Sequence, residues 1–166
     1  MANADPLPGV FRVQQVVASS LAASLLVYAV LVEAWPRLGL PRPSWPESSL
    51  ATVRFIFVFV AFAVYFLIRW VQQRLLVKRP EDSREVLVAK LGQASLLSLA
   101  LAELPALLGF LLFLGSGNSR DFYPLMVISL ILLYVTFPRY NLWLIFAQPR
   151  SGGADRTGPE AGGRGE

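Results

Sequence analysis

The sequence predicts an all-α membrane protein of four transmembrane helices arranged as two antiparallel hairpins. Three observations carry that prediction. Hydrophobic residues make up 55% of the 166 positions and charged residues only 16%, more apolar than one small water-soluble core requires. Mean hydropathy is +0.53. The apolar residues also fall into segments near the roughly 20 residues needed to span a hydrocarbon core of about 30 Å.

The first segment, 13–33, passes from Gln14 and Gln15 into VVASSLAASLLVYAVLV and ends at Glu33, Trp35 and Pro36, where an interfacial aromatic meets a helix breaker. Its leader MANADPLPGVFR holds one acid, one base and two prolines, unlike the basic n-region of a cleaved signal, so a retained helix is expected. The second segment, 53–73, contains FIFVFVAFAVYFLI. There Phe55, Phe59, Phe62 and Phe66 share one helical face, read as a lipid-facing or packing stripe. The third, 91–114, holds Glu103. The fourth, 122–137, stops at Pro138 and Arg139, ahead of an aromatic run in which Tyr140, Trp143 and Phe146 are read as an interfacial belt.

The connections differ in character. PRLGLPRPSWPESS is proline-rich and extended; in QQRLLVKRPEDSREVLVAK, Asp82 or Ser83 is placed to cap the third helix. Residues 1–12 form an N-terminal segment, 13–147 the transmembrane domain, and 148–166 a glycine-rich tail expected to be disordered. With four crossings, eleven Lys and Arg residues fall on the side of both termini and the second connection, against Arg37, Arg42, Arg54 and Arg120 on the other. Both termini are therefore expected in the cytoplasm, with the protein in an inner membrane. The pI near 9.9 reflects bases beside apolar segments, which points to anionic headgroups and not to nucleic acid.

The chain has no cysteine or histidine, which removes disulfides, thiol nucleophiles and His-based acid–base chemistry. No carboxylate pair, Ser-x-x-Lys arrangement or Gly-rich phosphate loop is present. A non-enzymatic protein without cofactor or metal is expected, and the acids around Glu81, Asp82 and Glu85 read as a solvated turn.

Glu103 is the sharpest clue. It is the single charged residue between Gly92 and Gly117, and a charge at the bilayer centre costs at least ~2.5 kcal/mol on insertion scales. Ala94, Ser98, Ala102 and Ala106 recur every four residues, a small-residue ridge suited to close helix packing. Glu103 lies at its edge. Pro105 withholds an amide from the Leu101 carbonyl, and Gly109 thins the helix further on. Candidate hydrogen-bond partners are Ser95 and Ser98 on the same helix, Tyr65 on the second, and Ser129, Tyr134 and Thr136 on the fourth. A carboxyl at this depth without a basic partner is a candidate for binding and releasing a proton. The contrasting expectation is interhelical hydrogen-bonding glue in a structural or assembly subunit.

The run ALAELPALLGFLLFL resembles the carboxylate helix of the c subunit, or proteolipid, of rotary ATP synthases and vacuolar-type ATPases. The resemblance implies that Glu103 holds the ion-carrying carboxylate position and Gly109 the glycine six residues on. It implies proton or cation handling, within a homo-oligomer or larger membrane complex.

Overall fold

Ser83 opens the longest helix: its hydroxyl accepts a hydrogen bond from the Val86 amide at 3.4 Å, satisfying one of the first-turn donors that every helix leaves unpaired. A computed structural model describes residues 7–39, 45–77, 79 and 82–147. Among these it contains α1 (Leu7–Ala34), α2 (Glu47–Leu75), α3 (Arg84–Ser116), α4 (Ser119–Thr136) and α5 (Tyr140–Ala147), and no strand. The first four are long and apolar enough to cross a membrane. The tail expected to be disordered, the first six residues and the prolines Pro41 and Pro43 lie outside the described residues.

α1, α2 and α3 run past their expected spans and α4 stops at Thr136, one residue short of its own; the first three begin six or seven residues earlier than the apolar pattern does. Helix propensity and caps do not stop where hydrophobicity stops. At 1.5 Å per residue the 33 residues of α3 measure about 50 Å, well beyond the hydrocarbon core, so its first turns stand outside it. At its other end Gly117 takes φ 66° and its amide donates to the Phe113 carbonyl at 2.8 Å. Only glycine adopts this left-handed cap without steric penalty. Asn118 follows and caps α4 by accepting from the Arg120 amide at 3.0 Å. Two residues thus turn the chain between α3 and α4. Pro138 ends α4, and the chain restarts as α5.

α3 is the hub of the bundle, packed against α1, α2, α4 and α5. Leu99 and Ala106 meet Ala18 and Leu25 of α1 and Leu133 of α4, while Ala102 meets Val64 and Ile68 of α2 and Leu132 of α4. α1 and α2, consecutive in the chain, lean on α3 and α4 instead of on one another. α1 runs parallel to α3: Leu7 clusters with Val88 and Leu91, and Val32 with Phe113. Near the far end, the Trp45 amide donates to the Gly115 carbonyl at 3.0 Å. A Cβ at Gly115 would stand 2.5 Å from the Trp45 ring, so the ring lies where a side chain would be.

The outward faces of α1 and α2 are apolar. Phe55, Phe59, Phe62 and Phe66 are 61–79% exposed, a stripe turned away from the bundle and suited to lipid. Charge divides between the ends. Among the described residues, the end where α1 and α3 begin carries Arg12, Arg69, Arg74, Arg79, Arg84, Lys90 and Arg139 against Asp82 and Glu85. The far end balances Arg37, Arg54 and Arg120 against Glu33, Glu47 and Asp121. There Arg54 grips Asp121 with two parallel hydrogen bonds of 2.9 and 2.8 Å.

Asp82, an alternative cap on sequence grounds, instead clasps the α2–α3 connection. Its Oδ2 accepts from Lys90 Nζ at 2.6 Å and from the Arg79 amide at 2.8 Å, and Lys90 also donates to the Val77 carbonyl. The Lys90 hydrogen bond, seconded by the Arg79 amide, holds the Asp82 carboxyl below its ordinary value. A depressed folded value means the clasp contributes fully above the unfolded pKa of about 3.9 and is lost as pH falls through the folded one. Hydrogen exchange corrected for intrinsic rates should therefore show the Val86 and Leu87 amides losing protection as the pH falls below about 4. The loss should already be present at pH 6 in D82N.

Candidate functional site

The ridge predicted on α3 is fully inside: Ala94, Ser98, Ala102 and Ala106 are all buried. Small side chains let backbones approach, and in a membrane such contact replaces hydrophobic collapse as the force between helices. Gly109 extends that logic toward α4. A Cβ there would fall 3.0 Å from both Leu125 Cβ and the Phe122 carbonyl oxygen, so the glycine seats α4.

Glu103 faces α1. The parallel register places two polar contacts along this seam, ten residues apart on α1 and eleven on α3. First, Gln14 Nε2 donates to the Gly92 carbonyl at 3.2 Å. Next, Ser24 Oγ lies 2.6 Å and Tyr28 Oη 3.0 Å from Glu103 Oε1. Ser24 and Tyr28 are four residues apart, one above the other on the same helical face. The Tyr28 ring stacks on Phe110 at 5.6 Å between centroids, and Phe110 stands two turns beyond Glu103 on the same stripe of α3. Ring packing therefore aims the tyrosine hydroxyl at the carboxyl. No ion pair to Glu103 exists among the described residues.

The proton count at Ser24 is distinctive. Its oxygen lies 2.7 Å from the Leu21 carbonyl as well as 2.6 Å from Glu103 Oε1, yet a hydroxyl has one proton to donate. Both contacts can be hydrogen bonds at once when the carboxyl itself is the donor in one of them.

The partners expected from sequence are elsewhere. Ser98 receives Gln72 Nε2 at 3.5 Å; Tyr65 is 41% exposed and sits beside Phe66; Tyr134 is 72% exposed beneath the Arg139 guanidinium. Ser129 donates to the Ala102 carbonyl, one position on from the Leu101 oxygen that Pro105 leaves without its amide. Thr136 donates back to Leu132 at 2.8 Å. The Ser95 hydroxyl is buried without a partner. Pro105 is buried inside α3, which continues through it unbroken. None of these side chains reaches Glu103. The sequence reading looked to α2 and α4, the antiparallel neighbours that short connections suggest, whereas the contact comes from parallel α1. Depth would have found it: Ser24 lies 17 residues into α1 and Glu103 19 residues into α3.

The aromatic belt is also revised. Trp143 is buried in a cluster with Leu7, Val88 and Leu91, and Phe11 meets Tyr140 and Trp143 edge-on at 5.0 and 5.6 Å. α5 therefore closes the basic end of the bundle by packing on α1 and α3. The Phe146 side chain lies outside the described residues.

The chain is a multi-pass integral membrane protein: four spanning-length apolar helices, an outward phenylalanine stripe and interior polar contacts made helix to helix agree on it. Comparison with protein families, characterised proteins and solved structures finds no match.

Proposed function

We propose that the chain is a non-enzymatic small membrane subunit in which Glu103 takes up and releases a proton, or a cation in its place, between α1 and α3. The arrangement of Ser24 supports this reading. With Glu103 ionised, Ser24 and Tyr28 both donate to Oε1. With Glu103 protonated, its O–H donates to Ser24 Oγ, Ser24 turns its own proton to the Leu21 carbonyl, and Tyr28 continues to donate. Both states keep the two contacts across the α1–α3 seam and the ionised one gives up only the Ser24–Leu21 bond, so loading and unloading involves a hydroxyl rotation at Ser24. The local likeness to the proteolipid carboxylate helix belongs to the same reading.

The excess of bases at one end supports an orientation with that end, and both termini, in the cytoplasm of a bacterial-type inner membrane. The exposed apolar faces of α1 and α2 would be covered by lipid, a second copy or a larger complex. A second reading, Glu103 as glue in a purely structural or assembly subunit, is favoured by its bridging α1, which has no substantial packing with α2.

Glu103→Gln separates the two, because the amide keeps a donor and an acceptor but cannot ionise. In proteoliposomes, wild-type protein should conduct protons and react with a hydrophobic carbodiimide between about pH 6 and 8, and E103Q should do neither while remaining assembled. Unchanged flux in E103Q would overturn the proton-handling reading.

A further inference from the structure

A second feature lies at the basic end, apart from Glu103. A cavity of about 280 Å³ opens where α2, α3 and α4 meet the start of α5. Its walls are largely apolar, including Leu76, Leu91 and Val135, but five residues with hydrogen-bonding side chains also line it: Gln72, Ser95, Thr136, Arg139 and Trp143. Thr136 is committed to its own helix through Leu132. Ser95 is not: its oxygen is buried with no partner, and a buried hydroxyl left unpaired is costly. Gln72 reaches Ser98 only at the 3.5 Å limit, which leaves most of its amide uncommitted. Arg139 follows Pro138 at the break between α4 and α5, with its guanidinium 5.9 Å from the Tyr134 ring. Tyr134 looks outward.

We propose that this cavity binds the phosphate headgroup of an anionic phospholipid. Three observations converge on that ligand. The donors outnumber the acceptors, and one is a permanent cation, which suits a phosphodiester. The cavity lies at the end where seven described bases stand against two acids, the charge pattern that draws anionic lipid to a membrane face. Apolar walls beside a headgroup-sized volume match a molecule whose remainder is hydrocarbon; a free phosphate ion has no use for them. The Arg139 guanidinium turns from the exposed Tyr134 ring to bind the phosphate, Gln72 donates from the α2 side, and the Ser95 hydroxyl turns about χ1 into the cavity to join them.

Native mass spectrometry of the full chain in detergent, titrated with phosphatidylglycerol, phosphatidylcholine or inorganic phosphate, tests this. One phosphatidylglycerol should bind per chain, in preference to phosphatidylcholine. Arg139→Ala should weaken that adduct by about tenfold, the value of one charge-assisted hydrogen bond. Gln72→Glu, nearly isosteric but anionic, should weaken it at least as much, and it retains a partner for Ser98. Arg74→Ala, a base over Trp70 outside the Arg139 corner, should leave it unchanged. The proposal fails if phosphatidylcholine binds equally well, if inorganic phosphate competes at the same concentration, or if neither R139A nor Q72E differs from wild type while circular dichroism shows both folded.

Discussion

Gly109→Val should separate α3 from α4 and remove about 1–3 kcal/mol of stability. The reason is what the added atoms meet. A flexible side-chain tip can swing aside, but one of the two atoms 3.0 Å away is the Phe122 carbonyl oxygen, part of the α4 backbone. The other, Leu125 Cβ, is fixed to that backbone directly. Relief therefore requires a helix to move, and the two-residue turn at Gly117 and Asn118 leaves little slack. Gly9→Ala in the first turn of α1 is the matching control: nothing among the described residues lies within 4 Å of its added Cβ, so it should not lower stability. Reversible unfolding in mixed micelles followed by circular dichroism would read both. Equal stability of G109V and wild type would show that α4 is not seated as described.

Glu103→Leu should detach α1 from the bundle. Leucine fills similar volume but strands the Tyr28 hydroxyl in an apolar seam and leaves Ser24 only the Leu21 carbonyl of its own helix, and interhelical hydrogen bonds in membranes are worth about 0.6 to 1.7 kcal/mol each. Two of them place the loss at about 1–3 kcal/mol. Glu103→Gln should lose much less. Tyr28→Phe combined with Glu103→Leu should cost little beyond E103L alone, because the partners form one unit. Strict additivity in that double-mutant cycle would refute the contact. Cross-linking between cysteines introduced at exposed positions of α1 and α3 would report the detachment directly.

The fold class was legible because bilayer thickness fixes a length and lipid fixes a composition, and both are written into single residues. Helix ends were less so: Ser83 was recognisable as a cap from its place after Pro80, but the early starts at Leu7 and Glu47, each beside a proline that suits a first helical turn, are not marked by hydropathy. Glu103 stood out because a carboxyl is costly in an apolar run, whether it handles protons or serves as interhelical glue. Its surroundings were not. Hydrophobic periodicity ranks faces within a helix but does not say which helix lies opposite, and Ser24 and Tyr28 look unremarkable until α1 is known to run beside α3. The unpaired Ser95 hydroxyl was equally hidden, since a serine normally satisfies itself on the preceding turn.

The parallel seam between α1 and α3 has a consequence for biogenesis. When synthesis has delivered only α1 and α2, those two helices hold almost nothing in common, and Gln14, Ser24 and Tyr28 face hydrocarbon. The first helix gains its polar partners, Gly92 and Glu103, only when the third is in place. Completion of the bundle is thus timed by the ribosome's arrival at α3, and a nascent chain halted before Glu103 would leave α1 unescorted for whatever quality control patrols that membrane.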